Sequence, residues 1–320
     1  MMRGKRGFVL KAAISSGLLA LLLTRSPLAE LGASLTGSDL LLLVLAFGVG
    51  FGGWFIANLK WQRLLGALGS SAPYSDLFAL NLIGVFYSLV LPGQVSGEIV
   101  KGVRLSQFGV QRAAVATSIL LDRLTGLAAL ALAGLVGLAL TPGSPFAGAA
   151  VWIALVVLGG SALPVLLARK RLPFAPTKAA GLYAKVWLAA SALNDALLTY
   201  RGRPLVLAEA LLLALLFQAS VYGANYMVVV SVGAPLSLAA LLWIVSTVSL
   251  LNLLPITLGG LGVREGAYAL LLEQQGVPFS QGLAISLIAS GMFLLLGSIG
   301  GVLEAGLYRA LAGPKPANVS

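Results

Sequence analysis

Two short stretches of the chain place charge next to proline and glycine. From Leu91 the sequence reads LPGQVSGEIVKG, and from Leu254 it reads LPITLGGLGVREG. Pro92, Gly97, Val100 and Lys101 match Pro255, Gly260, Val263 and Arg264, every pair 163 residues apart. A glycine-rich tip that leads into a helix offers free N–H groups and the positive end of a dipole, which suits an anion such as a phosphate. Lys101 would add a point charge there and Arg264 a planar fork. Glu98 and Glu265 stand beside them, placed to balance these cations, to accept a cationic group or to carry a proton. Gly93, Gln94, Gly259 and Gly262 complete the tips, and Arg104 follows Lys101.

A second candidate is Asp122-Arg123, nine or ten residues into a long apolar run that begins at Ala113. Adjacent residues on a helix do not face each other, so each is expected to pair with a different segment. Two roles stay open for them, a functional site and a static pair that locks helices together. For Lys101 and Arg104 the competing reading is an interfacial retention charge. Asn58-Leu59-Lys60-Trp61-Gln62-Arg63 reads as an interfacial anchor of aromatic and basic residues, and Gly48, Gly50, Gly52 and Gly53 as a close-packing surface. Glu273 and Glu304 lie near the ends of apolar runs, within reach of water.

The elements that position these residues follow from composition. Of 320 residues 59% are hydrophobic and 10% charged, with mean hydropathy +0.99. Soluble domains are about 45–50% apolar and about 25% charged, so this is an all-α polytopic membrane protein. The chain has no cysteine and no histidine, which excludes disulfides, thiol nucleophiles and Cys/His zinc sites; no cofactor or metal is expected. The net charge of +11 is explained by basic residues retained in cytoplasmic loops, and nucleic acid is not an expected partner.

About 20 apolar residues span a bilayer as a helix. Six runs qualify: Phe8–Thr24, read as an uncleaved first helix, Asp39–Leu59, Ala113–Leu140, Ala147–Ala168, Leu205–Val232 and Phe279–Leu307. Two more, Tyr74–Leu91 and Ser237–Leu254, stop at the two prolines. If these turn back as re-entrant hairpins, 18 of the 21 basic residues fall on one side, with only Arg25 and Arg264 opposite and Arg123 inside a helix. If both cross, the division is 8 against 12. The positive-inside rule selects the first layout, with both termini cytoplasmic. Thr177–Tyr200 reads as a helix on the inner membrane surface, within a cytoplasmic linker over 169–204.

The 163-residue offset also carries the second span onto the fifth and the third onto the sixth. The chain then forms one integral membrane domain, 1–320, with repeat halves 39–140 and 205–307 in opposite orientation. Leu, Gly and Val are common here, which makes coincidence the rival explanation. Matching tips at one offset, flanked by matching spans, favour a true repeat. Inverted repeats with broken segments in corresponding positions are the pattern of secondary transporters.

The chain resembles the lysylphosphatidylglycerol synthase transmembrane-region family. The resemblance is carried by Asn58-Leu59-Lys60-Trp61, Leu91-Pro92-Gly93 with Gly97-Glu98, Asp122-Arg123-Leu124-Thr125-Gly126 and Gly259-Gly260-Leu261-Gly262-Val263-Arg264-Glu265. Members tend to carry an arginine or a second glycine where this chain has Gln94-Val95-Ser96. The resemblance implies lipid translocation or lipid-linked export in a bacterial or archaeal cytoplasmic membrane. It does not imply aminoacyl transfer, since it does not include the soluble synthase domain. The leading expectation is therefore a flippase-like translocase of a polar, phosphate-bearing lipid. The alternatives are a membrane-embedded lipid-modifying enzyme with Asp122 or Glu265 as base, and an accessory protein of a lipid or lipid-linked glycan pathway. Expected partners are a membrane lipid, a second copy in a homodimer, and an enzyme of lipid synthesis.

Overall fold

A computed structural model describes residues 2–91, 95–141, 147–167, 191, 194–253 and 260–311. Its described secondary structure is helical throughout. The order is α1 (Met2–Arg25), α2 (Leu28–Thr36), α3 (Leu40–Ala67), α4 (Tyr74–Val90), α5 (Ser96–Gln107), α6 (Arg112–Ala139) and α7 (Ala147–Leu167). A helical segment at 194–201 follows. Then come α8 (Pro204–Ser231), α9 (Leu238–Leu251), α10 (Val263–Glu273) and α11 (Phe279–Leu311).

Helix boundaries follow local chemistry. Asp39 caps α3, its carboxylate accepting from the N–H groups of Leu41 at 2.8 Å and Leu42 at 3.2 Å. Ser237 caps α9 through the N–H of Ala240. Pro204 opens α8 in the first turn, where its missing N–H costs nothing. Pro27 separates α1 from α2, which meet at 93°. That bend was not anticipated: the chain after the first span forms a second helix instead of a simple loop.

Among the described residues four helices are long and apolar enough to cross a membrane: Leu40–Ala67, Arg112–Ala139, Pro204–Ser231 and Phe279–Gly306; the bent pair of α1 and α2 would make a fifth. Tyr74–Val90 and Leu238–Leu251 are shorter apolar helices, as the two proline-stopped runs required. Each is followed by an amphipathic helix, α5 or α10, that packs against it. Pro92, Gly93, Gln94, Pro255 and Gly259, the centres of the expected tips, lie outside the described residues. So does most of the expected surface helix. Its described end packs on protein. Leu197 and Tyr200 are buried among Leu64, Leu121 and Ala210, and the Tyr200 hydroxyl donates to the Leu64 carbonyl.

Packing couples the two ends of the sequence. Helix α3 lies along α8, α4 packs on α11, and α9 packs on α6. Four glycines at the 163-residue offset allow two of these crossings. A methyl group added at Gly137 of α6 would lie 2.7 Å from the Trp243 nitrogen, and one at Gly134 would lie 2.9 Å from the Ser246 Cβ. Added at Gly300 of α11 it would run into the Leu82 carbonyl, and at Gly297 into the Leu89 side chain. At Gly137 and Gly300 these crossings bring backbone against backbone, and at Gly134 and Gly297 backbone against side chain. Gly97, expected at a tip, sits in the first turn of α5 against the backbone of Gly84 in α4. Among the glycines of α3, Gly53 and Gly50 meet α8, whereas Gly48 and Gly52 face open space.

Candidate functional site

The helices enclose a cavity of about 500 Å³. Its walls come from α3, α4, α5 and α6 on one side and α8, α9, α10 and α11 on the other. Phe51, Trp54, Phe217 and Phe293 give it an apolar wall, and its charge comes from Lys60, Glu98, Lys101, Asp122, Arg123 and Arg264.

The first-half charges form one network across α3, α5 and α6. The Lys60 ammonium lies 3.1 Å from one Asp122 carboxylate oxygen and donates to the Asp122 carbonyl at 3.0 Å. The Lys101 ammonium lies 2.7 Å from Glu98 and 4.0 Å from the other Asp122 oxygen, and donates to the Asn81 side-chain carbonyl at 3.2 Å. The Arg123 guanidinium meets Glu98 at 2.9 Å. Asn81 in turn donates to Asn58, and Asn58 to the Tyr74 carbonyl. Lys101 also sits 4.5 Å above the Trp61 ring, whose N–H is held by Ser118 at 3.1 Å. Asp122 and Arg123 therefore do pair with different segments. Three cations share two carboxylates, and each buried ion has a counter-charge as its desolvation demands.

On the opposite side, Arg264 and Glu265 open α10. Gly260 and Gly262 adopt φ of 83° and 87°, a conformation that glycine reaches without strain. This tight entry lets Glu265, fully buried, fold back so that the Gly262 N–H donates to its carboxylate at 2.7 Å. The other Glu265 oxygen accepts from Ser290 at 2.6 Å and from the Arg264 guanidinium at 3.2 and 3.3 Å. Arg264 also donates to Ser290 at 2.5 Å. Neighbouring residues meet here because one of them caps the helix they begin. Glu265 fixes the guanidinium, and Arg264 presents it to the cavity.

Residues 8–301 match the model of the lysylphosphatidylglycerol synthase transmembrane region. The chain belongs to that family. No curated protein matches it. Membership and the four long apolar helices make it a multi-pass membrane protein of lipid-related function.

In this family member several sequence expectations are corrected. Lys60 and Trp61 are not an interfacial anchor: both are buried, and Lys60 is the principal counter-ion of Asp122. Lys101 is no interfacial retention charge: it is 3% exposed, lines the cavity, and its ammonium lies on Glu98, Asn81 and Asp122. Arg104 lies away from the cavity wall and pairs with Glu304, which also accepts from the Tyr87 hydroxyl at 3.0 Å. Glu304 is buried and ties α11 to α4 and α5 instead of reaching water. Glu273 does stay half exposed, 3.8 Å from Arg25. Sequence reasoning missed Ser290 and Tyr268, whose hydroxyl donates to Asn225 at 3.0 Å, and took Asn58 for part of an anchor instead of a link between Asn81 and the Tyr74 carbonyl. A signal existed for Glu304 and Lys60, each an ionisable residue within a helix long enough to span.

Proposed function

We propose that the protein is a lipid translocase that moves a polar, phosphate-bearing lipid between leaflets. It does so as a transporter and not as a lipid-modifying enzyme. The observation that carries this reading is the cavity to which each half contributes a guanidinium, Arg123 from α6 and Arg264 from α10. The headgroup occupies that cavity while the acyl chains remain in the bilayer. The layout is six crossings with two re-entrant hairpins in an inverted repeat, both termini in the cytoplasm of a bacterium or archaeon. Two observations support the repeat: the reciprocal packing of α4 on α11 and α9 on α6, and the glycines at equal offset beneath both crossings. Broken backbone at membrane depth must line a cavity or be buried in protein; in support, Asn252 and Leu253 before one expected break and Arg264 after it, and Glu98 after the other, line this cavity.

Liposomes tagged with fluorescent phospholipid, reconstituted with the protein and bleached from outside with dithionite, test the proposal. Translocation is expected to bleach more than the outer-leaflet half, and the recovered lipid to be chemically unchanged. Arg264→Lys keeps the charge but loses the planar fork and slows transport; Arg264→Ala abolishes it with insertion intact. Transport by Arg264→Ala at the wild-type rate and protein level refutes the assignment of Arg264. A modified lipid replaces the transporter reading with an enzyme.

A further inference from the structure

Resting on the translocase reading, we infer that the two sides of the cavity are unequal in transport: α10 is a fixed wall, clamped by the amino-terminal pair α1 and α2, and α5 is the wall that moves. Both helices line the cavity, α5 through Glu98 and Lys101 and α10 through Arg264 and Tyr268. Their outer faces differ. A methyl group added at Gly262 of the α10 start would lie 2.7 Å from the Leu18 Cβ of α1, and one at Gly266 would lie 3.4 Å from the Leu22 side chain. The clamp continues around the bend. Leu31 of α2 is buried with Ala269 of α10 and with Leu283 and Ala284 of α11. Ser280 donates to Glu30 at 3.1 Å, and Arg25 lies 3.8 Å from Glu273 and 4.9 Å above the Phe279 ring.

Ile99 and Val103 of α5 stand 163 residues before Gly262 and Gly266. They are 61% and 54% exposed, so the face that α1 covers on α10 is bare on α5. A face against fluid lipid can shift without opening a void, whereas a glycine seat filled by leucine cannot. The grip from behind differs as well. Leu105 is the one buried apolar side chain of α5, beside Gly97 and Lys101, whereas α10 buries Tyr268, Ala269, Leu271 and Leu272. Few buried apolar contacts mark an element that opens easily. The ties of α5 to other helices are largely ionic: Glu98 to Arg123 at 2.9 Å, Lys101 to Asp122 at 4.0 Å, and Arg104 to Glu304. An anionic ligand or water can exchange with such pairs, and a ligand shifts only an equilibrium whose states it contacts differently. The motion is a shear of α5 over α4 and α6, the helices it packs on.

Spin-label distances measured on the full chain in liposomes of phosphatidylethanolamine and phosphatidylglycerol test the motion apart from transport. Nitroxides on Val103→Cys of α5 and Leu216→Cys of α8 should give a broad or bimodal distribution, and those on Leu270→Cys of α10 and Leu216→Cys a narrow one. Adding Leu18→Ala/Leu22→Ala, which empties the seat, should broaden the second. A narrow distribution for α5, or a broad one for α10 with the seat intact, overturns the inference; an α10 left narrow by the emptied seat overturns the clamp. Lipid transfer supplies the functional arm. Joining Arg104→Cys to Glu304→Cys with a short bis-methanethiosulfonate should abolish transfer, and reduction should restore it. The same link between Arg25→Cys and Glu273→Cys, on the clamped side and away from the cavity, should leave transfer at the unlinked rate. Transfer through the first link, or its loss on the second, refutes α5 as the moving wall. The two proposals fail separately. A mobile α5 in a chain that transfers no lipid removes the translocase and leaves the asymmetry, whereas transfer with α5 held still does the reverse.

Discussion

Replacing Asp122 with asparagine should be among the most damaging single changes in the chain. At an effective dielectric constant of about 20, the attraction between Asp122 and Lys60 at 3.1 Å is about 5 kcal/mol, and that with Lys101 at 4.0 Å is about 4 kcal/mol. Both are offset by the desolvation of buried ions. What decides the outcome is the state left behind: Lys60, Lys101 and Arg123 would share Glu98 alone, two positive charges in excess. Removing one partner of a buried pair costs about 3–5 kcal/mol. At about 2 °C per kcal/mol for a chain of this size, the midpoint of thermal unfolding in detergent should fall by roughly 6–10 °C. Lys60→Met costs less, because Asp122 keeps Lys101. The double variant Lys60→Met/Asp122→Asn restores the wild-type surplus of one charge and should recover at least about half of the Asp122→Asn loss. Intrinsic fluorescence during heating, checked by size-exclusion recovery, measures all three. A double variant no more stable than Asp122→Asn would show that the network is not held by charge balance.

In the cysteine-free chain, single cysteines at Gln107 and Arg171 should react with an impermeant maleimide only from the cytoplasmic side, and those at Thr36 and Ser144 only from outside. Lys101 is too buried to report, and external labelling at 107 would reject the re-entrant first hairpin. Gly300→Ala should sharply lower folded yield, since its methyl runs into the Leu82 carbonyl, and Gly137→Ala should follow it. Gly48→Ala, which meets nothing within 4 Å, should be neutral or stabilise by up to about 1 kcal/mol; similar yields for all three would argue against backbone-close crossings. Glu304→Gln leaves Arg104 without its carboxylate and should cost about 1–3 kcal/mol in thermal stability, while Arg104→Gln/Glu304→Gln should cost less.

The sequence made the helices legible because their signals are local. Apolar length, the caps at Asp39 and Ser237 and the prolines after Leu91 and Leu254 mark most boundaries to within a few residues. The family was legible in its motifs, and that Asp122 and Arg123 would each find an ionic partner was legible because a charge deep in a spanning helix needs one. Side-chain partners were not legible. Lys60 looked like an anchor because it ends an apolar run beside a tryptophan. Only the approach of α5 and α6 to α3 makes it the partner of Asp122. The i,i+1 pairing of Arg264 with Glu265 was equally hidden, because it depends on two positive-φ glycines and a carboxylate turned back onto its own helix start.

The 163-residue offset explains both where the reading succeeded and where it failed. It runs through close helix contact: Gly134 and Gly137 stand 163 residues before Gly297 and Gly300, the first pair seating α9 and the second α4. It does not govern charge. At the same offset Glu98 corresponds to Leu261, Asp122 to Ile285, Arg123 to Ser286 and Glu265 to Gly102. Lys101 and Arg264 are the only charged match in the two clusters, and even they differ in role. Lys101 is enclosed by two carboxylates and an amide, whereas Arg264 is braced by one carboxylate and a serine and faces the cavity. Motif equivalence predicted like roles for the two because it sees the backbone pattern they share. The burial of a cation is set by the acids on neighbouring helices, and those acids do not recur at the 163-residue offset.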